Sequence, residues 1–135
     1  MKASGKQGFT LIEVMCAIVI FMIGAAAITS ACVQTVTLAK RAGAIYTAYN
    51  LAKNHVETLK TISYDDLPEA DEEDTVINSD GVGDAEGTYI RTTVVTPDYG
   101  GDDRITYVQV EVDLKFQGAQ KFVPMTLTTL IYDVT

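Results

Sequence analysis

Three regimes of hydrophobic and polar spacing run along the chain. From Phe9 to Val33 the residues are apolar or small, and Glu13 is the only carboxylate or cation among them. The uncharged stretch Val14 to Val33 is long enough, at about 1.5 Å per residue, to cross a bilayer core of about 30 Å. After Val33 the spacing becomes amphipathic without a helix breaker: Leu38, Ala42, Ile45, Tyr49, Ala52, Val56 and Leu59 recur in steps of four and three. The first proline is Pro68, so one helix is predicted from about Thr10 to Ile62, with Gly24 and Gly43 as soft points in its interior.

The second regime is acidic. Between Asp65 and Glu86 there are ten acids and no Lys or Arg, and Pro68, Asn78, Ser79, Gly81, Gly83 and Gly87 break any periodicity. Residues 64–87 are therefore expected to be a loop. The third regime alternates with period two: Tyr89 to Thr96, Arg104 to Phe116 and Phe122 to Val134 read as strands, with Val108, Val110, Val112, Leu114 and Phe116 on one face of the middle one. Val123, Met125, Leu127 and Ile131 share a face of the last. The turn signals Asp98-Tyr99-Gly100-Gly101-Asp102 and Gln117-Gly118-Ala119 are short enough for antiparallel hairpins, and Pro124 suits a strand start or an edge. The pattern predicts an α+β fold: a long N-terminal helix packed on a three-stranded antiparallel meander, because neither apolar face can be buried alone.

Glu13 changes the meaning of the first regime. A carboxylate in a membrane helix costs about 2.5 to 3.5 kcal/mol on insertion scales, which calls for a partner. Lys6 is the nearest cation, yet Gln7 and Gly8 separate it from a helix starting near Phe9, so the partner is expected on another molecule. Composition narrows the rest. A chain of 135 residues holds one small domain besides such a helix, and its net charge of -8 without a basic stripe argues against direct nucleic-acid binding. His55 is the only histidine and reads as a solvated helix residue; there is no second His or thiol beside it to complete a zinc set. Cys16 and Cys32 lie about 24 Å apart at helical rise, beyond disulfide reach, and read as packing residues. No acyl-transfer triad, P-loop or dinucleotide fingerprint occurs, so the chain is expected not to be an enzyme and to need no cofactor.

The short basic leader ending in Gly8, followed by Phe9-Thr10-Leu11-Ile12-Glu13-Val14-Met15-Cys16-Ala17-Ile18-Val19-Ile20-Phe21, closely resembles the class III signal of type IV pilins and secretion pseudopilins. That resemblance implies a leader over residues 1–8, cleavage by a prepilin peptidase between Gly8 and Phe9, and N-methylation of Phe9. It implies that Glu13 pairs with the Phe9 amine of a neighbouring subunit during assembly, so that cleavage creates the cation the acid lacks. It further implies a ladle-shaped pilin fold, in which residues 9–33 form the transmembrane and filament-core helix, 34–63 the amphipathic half, and 88–135 the sheet. The implied partners are other pilin or pseudopilin subunits and the inner-membrane assembly platform. The implied location is a single pass in the inner membrane with the C-terminal domain outside the cytoplasm, then a pilus or a periplasmic pseudopilus. Leu51 to Lys60 with Tyr64-Asp65-Asp66-Leu67 is similar to PilV-like minor pilins and to minor pseudopilins of type II secretion.

Two other readings are weighed against this one. A secretory signal cut after Ala27 or Ala31, or a plain anchor, would leave Glu13 unexplained. A membrane-anchored or exported interaction module could use the acidic segment for calcium, with Asp80, Asp84 and Glu86 as candidate ligands. Val82 and Gly81, however, break the order of an EF-hand loop.

Overall fold

The computed structural model describes residues 8–115 and 124–133. Leader residues 1–7, the turn Gln117-Gly118-Ala119, and Phe116, Phe122, Val123 and Val134 lie outside the described residues. The chain divides into two units, 1–41 and 42–135. Helix α1, Leu11–Leu59, contributes to both. It starts one residue later than expected and ends three residues earlier. Its last turn tightens as Thr61 N–H reaches the Thr58 carbonyl at 2.9 Å and Ile62 N–H the Leu59 carbonyl at 3.2 Å.

Helix α1 is long and apolar enough to cross a membrane, and none of its most apolar 18-residue stretch is buried. Phe9, Ile12, Phe21 and Ile28 all face outward. So many exposed apolar side chains gain by leaving water for lipid or for other protein surfaces.

The second unit is a sheet with the C-terminal part of α1 laid on it. Four strands, β1 (Glu72–Ile77), β2 (Tyr89–Thr96), β3 (Ile105–Leu114) and β4 (Met125–Tyr132), pair antiparallel in chain order. The expected meander is present, with one strand more than the three anticipated. The extra strand comes from the acidic segment. Glu72-Glu73-Asp74-Thr75-Val76-Ile77 carries only three apolar or β-branched residues, so its composition signalled a loop; pairing with β2 and burial of Ile77 overrode that weak propensity. A 3-10 segment, Tyr64–Ala70, precedes it and inserts Leu67, fully buried, into the core.

Alternation along β3 buries Val108, Val110 and Val112 against α1 residues Ala48, Leu51, Ala52, Val56 and Leu59. The amphipathic stripe is borne out at its C-terminal end, where Ala52, Val56 and Leu59 are buried together with Ala48 and Leu51. Its earlier members Leu38, Ile45 and Tyr49 are exposed, Leu38 by 63%. The core is built only where strands are available to cover the helix, so the strands set how far along the stripe burial extends. Tyr64 ties the 3-10 segment to the start of β3: its hydroxyl donates to the Asp103 carbonyl at 3.0 Å and accepts from Thr106 Oγ1 at 3.0 Å.

Candidate functional site

Gly8, Phe9 and Thr10 precede α1 as exposed residues outside any helix or strand. Thr10 stands at the N-cap and Glu13 at the third helical position. Glu13 N–H lies 3.1 Å from the Thr10 carbonyl and 3.4 Å from Thr10 Oγ1. Thr10-Leu11-Ile12-Glu13 is thus the Thr-x-x-Glu pattern of a capping box, and the acid in the first turn complements the positive end of the helix dipole. That local role is carried in the sequence by the spacing of Thr10 and Glu13 alone. These contacts engage the Glu13 backbone N–H and leave Glu13 exposed, open to a cation from outside the chain. Phe9, Glu13, Val14, Ala17, Ile18 and Phe21 line one open, mostly apolar groove on this helix face.

Cys16 and Cys32 are both exposed free thiols of α1. The calcium candidates lie between β1 and β2. Asp80, Asp84 and Glu86 are exposed, and Asp84 Oδ1 accepts from Glu86 N–H at 3.0 Å. The nearby Asn78 Oδ1 accepts from Asp80 N–H at 2.9 Å and Val82 N–H at 3.1 Å. Among the described residues no three carboxylate, imidazole or thiol groups converge as a metal set would. The Gly81 carbonyl, in the same turn, accepts from Arg91 Nη1 at 3.3 Å.

A polar cluster that the sequence did not disclose sits where α1, β1 and β2 meet. His55 is not solvated: its side chain is 17% exposed, and Nε2 lies 3.1 Å from Thr93 Oγ1 and 3.3 Å from Glu72 Oε1. Arg91 grips Glu72 with two donors, Nε to Oε1 and Nη2 to Oε2, the latter at 3.2 Å. Thr93, fully buried, donates its hydroxyl to Glu72 Oε1 at 3.0 Å. With its only proton so used, Thr93 Oγ1 must accept from His55, which makes Nε2 the protonated nitrogen. Burial, and then the Arg91 charge, hold His55 below its ordinary value of 6.5 against the opposing pull of Glu72. The contact with Glu72 is therefore that of a neutral imidazole at neutral pH. Burial would raise Glu72, but Arg91, by hydrogen bond and charge, together with Thr93 and His55, holds it below the usual carboxylate value.

This arrangement differs from a hydrolytic triad. The carboxylate approaches the same imidazole nitrogen as the hydroxyl, whereas a triad carboxylate orients the opposite one. The sequence held little to reveal it, since its members lie at positions 55, 72, 91 and 93 and meet only where β1 pairs with β2 beside α1.

Searches of curated proteins and of solved structures find no match to this chain. Residues 3–29 match the family model of the prokaryotic N-terminal methylation motif, the class III prepilin signal, and this match supports a type IV pilin-like or pseudopilin-like substrate of prepilin peptidase.

Proposed function

We propose that this chain is a structural subunit, a minor type IV pilin that assembles into or primes a pilus filament and carries out no chemistry of its own. The observation behind this reading is a prepilin-type signal joined to a helix whose apolar window is wholly uncovered. In this reading prepilin peptidase cuts between Gly8 and Phe9, and the Phe9 amine is methylated. The helix waits in the inner membrane with the globular unit outside the cytoplasm, and then exchanges lipid for neighbouring helices. Glu13, exposed beside its apolar groove, takes the Phe9 amine of the adjacent subunit. A charge pair formed away from water is strong and directional, so it sets the axial register of one helix against the next. Subunits lacking either charge would leave the other unpaired and be disfavoured.

The absence of a proline from the anchoring half of α1 and of a cysteine pair from the globular unit favours a minor subunit over a major one, by resemblance to the family. A minor pseudopilin of a type II secretion system uses the same signal and the same helix, and the segment Leu51 to Lys60 supports it equally. Localisation to pili or to a periplasmic filament separates the two.

The deciding experiment is mass spectrometry of the mature N-terminus in cells with and without a prepilin peptidase. A peptidase-dependent, N-methylated start at Phe9 is expected. A cut after Ala27 or Ala31, or an uncut chain in both strains, would overturn the proposal in favour of an exported or anchored module.

A further inference from the structure

The cluster of His55, Glu72, Arg91 and Thr93 has no part in the N-terminal assembly segment, yet it joins four pieces of the folded unit: α1, β1, β2 and the turn at Gly81. The strand that carries Glu72 is bent to deliver it. Between Glu72 and Thr75 β1 holds one residue more than β2, which pairs these two with Thr93 and Arg91. Asp74 takes up the irregularity with φ 47, a left-handed conformation unusual outside glycine. Side chains alternate along a strand, so without the extra residue Glu73 would face inward and Glu72 outward. Gly81, at φ +82, brings its turn so close to α1 that an added Cβ would meet Leu51 Cδ2 at 3.3 Å. The Arg91 bond to the Gly81 carbonyl holds the turn there.

We propose that these four residues form an acid-released clasp: with a neutral imidazole it locks β1 and the Gly81 turn onto α1 and β2, and protonation of His55 frees them while β2 to β4 remain folded. The charged groups facing the imidazole are Glu72 from β1 and Arg91 from β2. A proton added to His55 places a second positive charge against Arg91, and the one counter-charge, Glu72, is already committed to the guanidinium and to Thr93. Burial and the Arg91 charge keep the imidazole neutral at neutral pH, so the clasp is closed there. β1 is the element that yields, because its ladder with β2 is short and interrupted, whereas β2 and β3 pair without a break from Tyr89 to Thr96. Its departure would open the outer edge of β2, a row of backbone donors and acceptors ready for another strand.

The test uses the full chain in detergent micelles. Hydrogen-exchange protection, corrected for intrinsic rates, is followed over residues 72–87 and over β3 between about pH 7.5 and about pH 5, beside an NMR titration of the imidazole. His55 is the only histidine, so its signal is unambiguous. Residues 72–87 are expected to lose about tenfold protection with the midpoint of the imidazole, while β3 keeps its own. His55→Gln, which can still donate to Thr93 and cannot be protonated, is expected to stay protected across the range. Unchanged protection, loss in step with β3, a midpoint apart from that of the imidazole, or the same loss in His55→Gln would each overturn the clasp. Should His55→Gln not fold, agreement or disagreement of the two midpoints in the unaltered chain decides the matter.

Discussion

Glu72 is the residue on which most of the buried polar structure depends. Arg91 is 13% exposed and Glu72 23%, so removing the carboxylate charge leaves a guanidinium largely desolvated and poorly matched. Breaking one side of such a pair is costly, and residual solvent access reduces the cost. Glu72→Gln is expected to destabilise the folded unit by about 1–3 kcal/mol, read from the denaturant midpoint of the full chain in micelles. His55 and Glu72 also set a pH dependence. Both are held below their ordinary values of 6.5 and 4.5, so the unfolded chain binds more protons in acid, and stability must fall as the pH falls. The His55 contribution is complete above 6.5 and disappears below it; the Glu72 contribution is complete above 4.5 and disappears in stronger acid. Denaturant midpoints measured from about pH 8 to about pH 4 are expected to decline in those two windows, and a flat profile just below 6.5 would remove the His55 contribution. Asp102, exposed, accepts from Arg104 N–H and Nε, and these bonds hold its carboxyl below the usual range without linking it to the core.

At the level of elements, α1 has a covered part and an uncovered part, and substitutions should separate them. Leu59 is 1% exposed within the core, so Leu59→Ala is expected to cost about 2–5 kcal/mol. Leu38→Ala, on the same sequence stripe but exposed, should stay within about 0.5 kcal/mol for the isolated chain by the same denaturation assay. Equal losses would mean that the stripe, rather than the strands, defines the core. The junction of β1 and β2 is equally specific. A Cβ at Gly87 would lie 2.2 Å from the Ile77 carbonyl oxygen, a backbone atom that cannot swing aside, and Gly87→Ala is expected to cost about 1–3 kcal/mol. The two outer strands are also unlike. β1 carries three acids and a bulge, devices that discourage pairing at an edge, whereas β4 is uncharged from Met125 to Tyr132.

For the whole molecule the contrast is between a folded unit that buries its own apolar face and an N-terminal helix that buries none of its most apolar window. The folded unit has its own core, whereas the most apolar window of the helix has none. Glu13→Val removes an acid that costs about 2.5 to 3.5 kcal/mol in a bilayer, so membrane insertion should be undiminished. If Glu13 pairs with the neighbouring amine, the same substitution should strongly reduce the fraction of subunits in sheared filaments; unchanged incorporation with unchanged insertion would end that role.

The elements themselves were legible where periodicity was strong. Twenty uncharged residues after Glu13 dictate a helix that cannot rest in water, and the alternation of Val108, Val110 and Val112 dictates a strand with one buried face, because both follow from local spacing. The prepilin-type segment is local too, since Gly8, Phe9 and Glu13 need no distant partner within the chain to be read. Tertiary structure alone decided what depends on distant pairing. It made a strand of Glu72 to Ile77 despite their charges, confined the covered face of α1 to the stretch from Ala48 to Leu59 and left Leu38 and Ile45 exposed, and turned His55 from a surface residue into part of a half-buried cluster. Hydrophobic spacing records which residues must leave water. Which acid meets which base across 17 or 19 positions is settled only when the strand register and a single bulged residue bring Glu72 to His55 and Arg91.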